Sequence, residues 1–252
     1  MIQHTGNERV EKGREGLRSL REFRTEMYGM LAAAFLSPPT TEWLESLSEG
    51  NFLNVTDEVF GAELSGELRA LLQSRTGLDE LQGGLLREYE ELFRIPGGKY
   101  VTPYESVFSD TFDAAGEPIR GLLSGQSVID VKKWYRLARF EIPEDFLDLP
   151  DHIGLELRYL ADLCAKESEL EELGDTERVE RAWEMERDFL AAHPRRWIDA
   201  LARKVASKTQ NPYYLYVTAV AQLFTARDLT TLEEVLGEAS GSSAPDYAAV
   251  GS

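Results

Sequence analysis

Residues 89–108 read YEELFRIPGGKYVTPYESVF, a helix end that runs through a Gly/Pro turn into the tetrapeptide Pro-Tyr-Glu-Ser. The helix that ends here carries apolar side chains at helical spacing: Leu78, Leu81, Leu85, Tyr89, Leu92 and Phe93. Such a stripe usually faces a protein core. Because it ends at a Gly/Pro loop, its last side chains could instead line a groove. The stretch predicts a helical fold in which a helix end and an ordered loop meet.

The tetrapeptide at residues 103–106 has a purely structural interpretation. Its proline stiffens an extended entry, and Glu105 or Ser106 can cap the backbone N–H groups that follow. Tyr104 would pack with its hydroxyl group hydrogen-bonded. By themselves these four residues require no ligand.

A second informative segment, residues 150–157, reads PDHIGLEL and lies about forty residues further along the chain. Its proline starts a helix whose first turn carries Asp151 and His152. The helix dipole favours an acidic residue there, and Asp151 can orient His152 without any ligand. An adjacent carboxylate and imidazole at an exposed helix start would also be a good receptor for an arginine or a backbone amide. Both interpretations stay open from the sequence.

Helical spacing continues through most of the chain, with no internal repeat and no strand alternation of useful length. Pro38 and Pro39 end the first helix, and Asp175, Pro194 and Pro212 mark the starts of later helices. The sequence therefore predicts an all-α fold. We expect a single helical bundle of about ten helices, arranged as one or two lobes.

The ends of the chain and one internal segment depart from this pattern. We expect residues 1–17 to be a flexible N-terminal segment, residues 18–236 to be the helical domain and residues 237–252 to be a disordered tail. Thr230 with Glu233 forms a capping box, which predicts a last short helix before this tail. Residues 94–117 are rich in glycine and proline and predict a long loop of the kind that often has a function.

The composition, with 42% hydrophobic and 29% charged residues, is that of an ordinary globular protein. The formal net charge is −18, from 45 acidic and 27 basic residues, which argues against a nucleic-acid partner. This charge would suit a basic partner, although acidic surfaces also simply keep proteins soluble. Cys164 stands alone, and the sequence has neither a secretory signal nor a stretch typical of a membrane span. We therefore expect a location in the cytoplasm.

The sequence offers no recognisable catalytic or metal-binding motif. Its histidines are His4, His152 and His193, and none belongs to a His-Glu-x-x-His or a Glu-x-x-His motif. Residues 97–99, Gly-Gly-Lys, lack the earlier glycine, the following Ser/Thr and the preceding strand of a phosphate-binding loop. No serine lies in a Gly-x-Ser-x-Gly elbow. We therefore expect a binding protein and not an enzyme, with no cofactor and no metal site.

Several segments, in this order, resemble the TorD/DmsD/NarJ family of redox-enzyme maturation chaperones. The matching pieces are LREYEELFRIP, TPYESVF, GQSVIDVKKWYRLARFEI, PDHIGLELRYLADL and FLAAHPRRWIDALARKVASKTQNPYY. They extend roughly from Leu85 to Tyr214, about half of the chain, and the amphipathic first helix also fits. The Pro-Tyr-Glu-Ser loop and the Pro-Asp-His helix start are specific in combination.

The resemblance implies a cytoplasmic, all-helical chaperone that is not an enzyme. Members of this family recognise the twin-arginine leader, or another N-terminal segment, of a molybdenum- or tungsten-containing oxidoreductase. They hold the apoenzyme until its cofactor is inserted and block premature export. The expected partner is therefore the catalytic subunit of a molybdopterin-type oxidoreductase, together with its leader peptide.

The resemblance also implies which residues form the leader-binding groove. Carried over position by position, they are Tyr89, Leu92, Phe93, Asp151 and His152, with Tyr104, Glu105 and Ser106 nearby. Some relatives have tryptophan where this chain has Tyr89 or Gly97, which would change the shape of the groove.

Alternatives remain open at this point. The chain could be an assembly factor for a molybdoenzyme subunit that is not exported, or a helical protein that binds or hydrolyses a nucleotide. It could also be an assembly subunit that stays bound to its partner. Family members exchange helices into dimers, and the loop at residues 94–117 would permit this exchange. We expect a monomer or a helix-swapped dimer.

Overall fold

The computed structural model describes residues 2–61, 64–74, 77–109, 123 and 125–242, and the structural statements below refer to these residues. Within them, the chain forms eleven α-helices, one π-helical turn and no β-strand, which confirms the predicted all-α class. The helices are α1 (Ile2–Leu36), α2 (Thr41–Glu49), α3 (Phe52–Phe60), α4 (Gly66–Leu72), α5 (Leu78–Tyr89), α6 (Glu105–Ser109), α7 (Gln126–Leu137), α8 (Ile153–Glu172), α9 (Thr176–Ala192), α10 (Pro194–Ala206) and α11 (Pro212–Ser242). The π-helical turn, Glu90–Arg94, follows α5 directly.

Local sequence signals set several of the helix ends. The Asp175 side chain accepts a hydrogen bond of 3.2 Å from the Arg178 N–H and so caps the start of α9. Pro194 and Pro212 are the first residues of α10 and α11, where a missing N–H breaks no helical hydrogen bond. These three predicted helix starts are confirmed.

The last helix differs from the expectation. The capping box of Thr230 and Glu233 predicted a new short helix, whereas α11 runs unbroken to Ser242. The Thr230 hydroxyl group donates to the Ala226 carbonyl oxygen (3.1 Å), as threonines do inside a helix, so the predicted cap is wrong. Residues 243–252 of the predicted tail lie outside the described residues.

Two short helices, α3 and α6, were not predicted. α6 has five residues, too few for a periodic pattern, and it lies inside the expected loop at residues 94–117. The part of that loop beyond residue 109 lies outside the described residues. At the other end of the chain, α1 includes residues 2–17, for which flexibility stays a prediction.

α1 and α8 lie against each other along the centre of the bundle. α1 contributes Met27, Tyr28, Leu31 and Phe35 to the core, and the first half of α8 is buried almost all round. α9, α10 and α11 pack against this pair. No helix in the described part of the chain has an apolar stretch long enough to cross a bilayer.

A buried arginine joins four of these helices. Arg24 of α1 donates to both carboxylate oxygens of Asp228 in α11, at 2.7 and 3.2 Å. It also donates to Glu167 of α8 (3.3 Å) and to Glu186 of α9. The Tyr28 hydroxyl group donates to Asp228 at 2.7 Å. A buried charge needs such partners, and this cluster links α1 to α8, α9 and α11.

Candidate functional site

The two motifs singled out from the sequence lie side by side. Two main-chain hydrogen bonds, of 2.9 and 3.0 Å, join residues 103–105 to residues 151–153. Tyr104 and His152 face each other across this isolated antiparallel bridge. The loop before α6 is thereby fixed to the start of α8.

The Asp151 carboxylate caps α6 from a distant part of the chain. It accepts a hydrogen bond of 2.9 Å from the Ser106 N–H, a bond typical of acidic residues at helix starts. Asp151 and Ser106 are both fully buried, and His152 is only 3% exposed. The predicted exposure of the Asp-His pair is therefore wrong, because the pairing with residues 103–105 covers it.

His152 caps the start of α8 with its imidazole ring. Its Nδ1 atom accepts a hydrogen bond of 3.0 Å from the Gly154 N–H, so that nitrogen carries no proton. Burial lowers the pKa of His152 to about 4, and the ring is neutral at pH 7. The ring packs edge-to-face against Tyr104 and Phe146, with centroids 5.5 and 6.0 Å apart.

Leu92 and Phe93 lie in the core, which agrees with the interpretation of their stripe as a core face. Phe93 packs against Tyr89, Phe35 and Tyr214, with ring centroids 5.6 to 6.0 Å apart. The Tyr89 hydroxyl group donates to the Phe35 carbonyl oxygen at 3.1 Å. Leu92 and Phe93 therefore shape the site from inside and do not form its surface.

A surface groove lies directly outside these residues. One cavity of about 420 Å³ lies between the end of α1, the π-helical turn and residues 143–148. A second cavity of about 710 Å³ lies between α1, α8 and the loop after α7. Leu36 and Arg158 line both cavities, which therefore meet. We call the two cavities together the α1 groove.

The 420 Å³ part of the α1 groove combines an apolar rim with three acidic residues and two arginines, Arg94 and Arg158. Leu147 is 94% exposed, and the half-buried Phe146 lies beside it. Glu90 and Asp145 also line this cavity, and neither takes part in an ion pair within the described chain. An exposed leucine next to two free carboxylates can receive a segment that is both apolar and basic.

Another wall of the groove is held in place by the predicted site residues. Asp148 accepts hydrogen bonds from the Tyr104 hydroxyl group (2.8 Å) and from Arg94 (2.7 Å). Burial and the bond to Asp148 raise the pKa of Tyr104, which stays protonated. Since His152 packs against Phe146, both bridge residues support the groove from behind.

Glu105 belongs to a buried cluster that the sequence did not reveal. Its Oε2 atom lies 2.8 Å from His193 Nδ1, and Glu156 accepts a hydrogen bond of 3.2 Å from the Trp197 indole N–H. Burial, together with the nearby Glu105 and Asp151, raises the pKa of Glu156 well above its usual range. Glu105 and His193 are 88 positions apart and share no motif, so no sequence signal pointed to this contact.

The amino-acid sequence is similar to a known protein family and to several named proteins. A family model described as "Nitrate reductase delta subunit" matches residues 58–203, more than half of the chain. The chain is 28% identical over 155 residues to a protein named "Chaperone protein TorD" from Aliivibrio fischeri, covering 58% of this chain and 66% of that one. It is 25% identical over 229 residues to the TorD chaperone of Vibrio parahaemolyticus, and the match covers 88% of this chain and 99% of that protein. It is 32% identical over 141 residues to a selenate reductase assembly chaperone protein from Thauera selenatis, and the match covers 55% of this chain and 66% of that protein.

Proposed function

Since this chain belongs to the nitrate reductase delta subunit family, we propose that it is an assembly chaperone for a molybdenum- or tungsten-containing oxidoreductase. The family match over residues 58–203 carries this proposal, because it includes both motifs of the candidate site. The three similar proteins are all named as chaperones, and one of them is named for the assembly of selenate reductase. In this role, the chain binds the apoenzyme in the cytoplasm and holds it until the cofactor is inserted.

We assign the N-terminal leader of the client to the α1 groove. A twin-arginine leader has a basic start and an apolar middle. The free carboxylates of Glu90 and Asp145 suit the basic part, and the exposed Leu147 with Phe146 suits the apolar part. An apolar segment that enters such a groove is held by the side chains it buries.

The residues implied by the family resemblance divide into three roles in this proposal. Tyr89 lines the floor of the groove, where 3% of its surface is exposed to the leader. Tyr104 and His152 act as positioning residues, because they hold Asp148 and Phe146. The remaining five residues, Leu92, Phe93, Glu105, Ser106 and Asp151, are buried and keep the groove in shape.

A pull-down of the tagged chain from its own host, grown anaerobically, tests the proposal. Mass spectrometry of the bound proteins is expected to find a large molybdopterin-type oxidoreductase. The absence of any such enzyme across several electron acceptors would overturn the chaperone function.

A matched pair of variants tests the groove in the same experiment. Leu147→Asp places a charge on the rim of the groove and is expected to lose the client. Leu173→Asp makes the same change at the end of α8, where the leucine is 77% exposed, and is expected to keep the client. Equal retention by both variants would remove the α1 groove from the proposal and leave the chaperone function in place.

An assembly factor for a non-exported subunit is the second candidate, and the description of the matching family as a nitrate reductase subunit favours it. The two candidates differ in what the groove receives. A client lacking its leader should escape capture if the leader is the ligand. Capture of the truncated client would favour the second candidate.

A nucleotide-binding function finds no support at residues 97–99. The Lys99 amine lies 2.9 Å from Glu88 and 2.8 Å from Glu91, so two carboxylates already neutralise its charge. A phosphate-binding lysine must offer that charge to the ligand. We therefore expect no nucleotide hydrolysis by the purified chain, and an assay with Asp151→Ala as the comparison tests this.

A further inference from the structure

Two glutamates and a histidine from three separate elements converge inside the bundle. Glu105 is the first residue of α6, Glu156 lies in the first turn of α8, and His193 joins α9 to α10. All three are buried, and one potential ligand atom from each lies within 4.8 Å of the others. Glutamate oxygens and imidazole nitrogens are common ligands of divalent transition metals.

The two glutamates each keep one oxygen without a hydrogen-bond donor. Glu105 Oε1 and Glu156 Oε1 are buried, no N–H or hydroxyl group of the other described residues donates to them, and the two glutamates lie within hydrogen-bond reach of each other. Burying a carboxylate oxygen without a partner is costly, and proteins rarely leave such atoms unsatisfied. Either a proton or a cation between these side chains would satisfy both oxygens.

The charge of the cluster indicates what that group is. Within the described residues, no lysine or arginine forms an ion pair with Glu105 or Glu156, and their only basic neighbour is His193. Arg24, by contrast, compensates the acidic groups of the other buried cluster. Buried carboxylates that lack such a cation are either protonated or bound to a metal ion.

We propose that Glu105, Glu156 and His193 bind one divalent transition-metal ion, for which Zn²⁺ is the best match. Zinc accepts two carboxylates and one imidazole at bond lengths of about 2.0–2.2 Å. At these bond lengths two ligands of one tetrahedral ion lie roughly 3.4 Å apart. The ligand atoms here lie within 4.8 Å of one another, so the widest pair would have to move closer together on binding. The indole N–H of Trp197, bonded to Glu156 Oε2, holds this ligand in orientation from outside the metal site.

Bound zinc would fasten α6 and α8 to the junction of α9 and α10. The loop at residues 103–105 would thereby gain a second attachment besides its bridge to residues 151–153. The proposal does not depend on the chaperone function, since its evidence comes only from the buried cluster.

Metal binding by the full-length chain tests the proposal. After removal of metals with a chelator, the protein is dialysed against Zn²⁺, and the bound zinc is measured by mass spectrometry. The wild type is expected to retain one zinc per chain and to melt at a higher temperature with zinc than without. Glu105→Gln and His193→Asn are expected to lower the zinc affinity at least about tenfold.

Glu177→Gln provides the matched control, because it removes an exposed carboxylate from α9 and leaves the cluster intact. This variant is expected to retain one zinc per chain. Equal zinc retention by Glu105→Gln, His193→Asn and the wild type would place the metal elsewhere and overturn the proposal.

Cobalt absorption provides a measurement that depends on no variant. Co²⁺ bound to the wild type by carboxylates and an imidazole is expected to give visible absorption bands, which Zn²⁺ then removes. A wild-type chain that retains no zinc and shows no such bands would mean that a proton, and not a metal, lies between the two glutamates.

Discussion

Gly154 allows α1 and α8 to approach each other closely. A Cβ atom at this position would lie 2.6 Å from Leu36 Cγ and 3.1 Å from the Ala32 carbonyl oxygen. We expect Gly154→Ala to lower the free energy of unfolding by about 1–3 kcal/mol, measured by urea denaturation. Gly84→Ala, in open space on α5, is the control and is expected to be neutral or to stabilise by up to about 1 kcal/mol. Equal effects at both positions would contradict the close approach.

The buried imidazole of His152 makes the stability of the protein depend on pH. Its pKa of about 4 lies below the ordinary value of 6.5, chiefly because burial disfavours the charged form. Between these two values the unfolded chain binds the proton more readily than the folded chain. The contribution of His152 is therefore complete above pH 6.5 and is lost as the pH falls towards 4. Glu186, whose pKa burial raises to about 7, acts in the opposite direction.

Comparison with His152→Asn isolates the effect of this one group. Asparagine can still accept the hydrogen bond from the Gly154 N–H, but it does not titrate. Between pH 7 and pH 5 the wild type is expected to lose about 2 kcal/mol more unfolding free energy than the variant. Urea denaturation at the two pH values measures this, and parallel losses would show that His152 is not the group responsible.

At the scale of single residues, the sequence singled out the two motifs, but it did not predict the direction in which their side chains point. It identified Tyr104, Asp151 and His152, which the bridge between the two motifs brings together. It did not predict their burial, because packing against a distant segment of the chain determines which side chains of a short loop point inward. The contact between Glu105 and His193 arises in the same way.

Among the elements, α1 is joined to three other helices by one buried polar residue, Arg24. Arg24→Met would leave Asp228 and Glu186 buried without their cation, and we expect it to lower the unfolding free energy by about 3–5 kcal/mol. Arg178→Met removes the exposed ion pair with Asp175 and is expected to cost less than about 1 kcal/mol. Thermal and urea unfolding of both variants provide the measurement. Similar losses would mean that the buried cluster contributes little to holding α1.

The elements that the sequence predicted well are those whose signals are local. A long apolar stripe or a proline at the first turn acts within a few residues, and α5, α10 and α11 begin as expected. The five-residue α6 is too short to show a helical period. α3 does carry one and could have been predicted from its apolar residues Phe52, Val55, Val59 and Phe60. The unbroken course of α11 past Thr230 could not be predicted, because packing of the buried Leu232 and Leu236 against the core overrides a local capping signal.

The net charge of −18 acts at the scale of the whole molecule. We expect it to speed the encounter with a peptide that has a basic start and an apolar middle. Raising the salt concentration from about 0.05 to 0.5 M should slow this association about tenfold, as measured by stopped-flow fluorescence. Leu147→Asp should increase the dissociation rate and keep the salt dependence. An association rate that does not change with salt would contradict electrostatic steering.

The cluster around Arg24 also determines when α1 can complete its folding during synthesis of the chain on the ribosome. Its partners lie 143, 162 and 204 positions further along the chain, so α1 is synthesised long before them. Until α8 emerges, the apolar face formed by Met27, Leu31 and Phe35 lacks the helix that packs along it, and only its Phe35 end can meet the earlier Phe93. Chains with such distant contacts fold slowly and expose apolar surface meanwhile. A protein that we propose to shield a nascent enzyme thus spends most of its own synthesis with its first helix only partly covered.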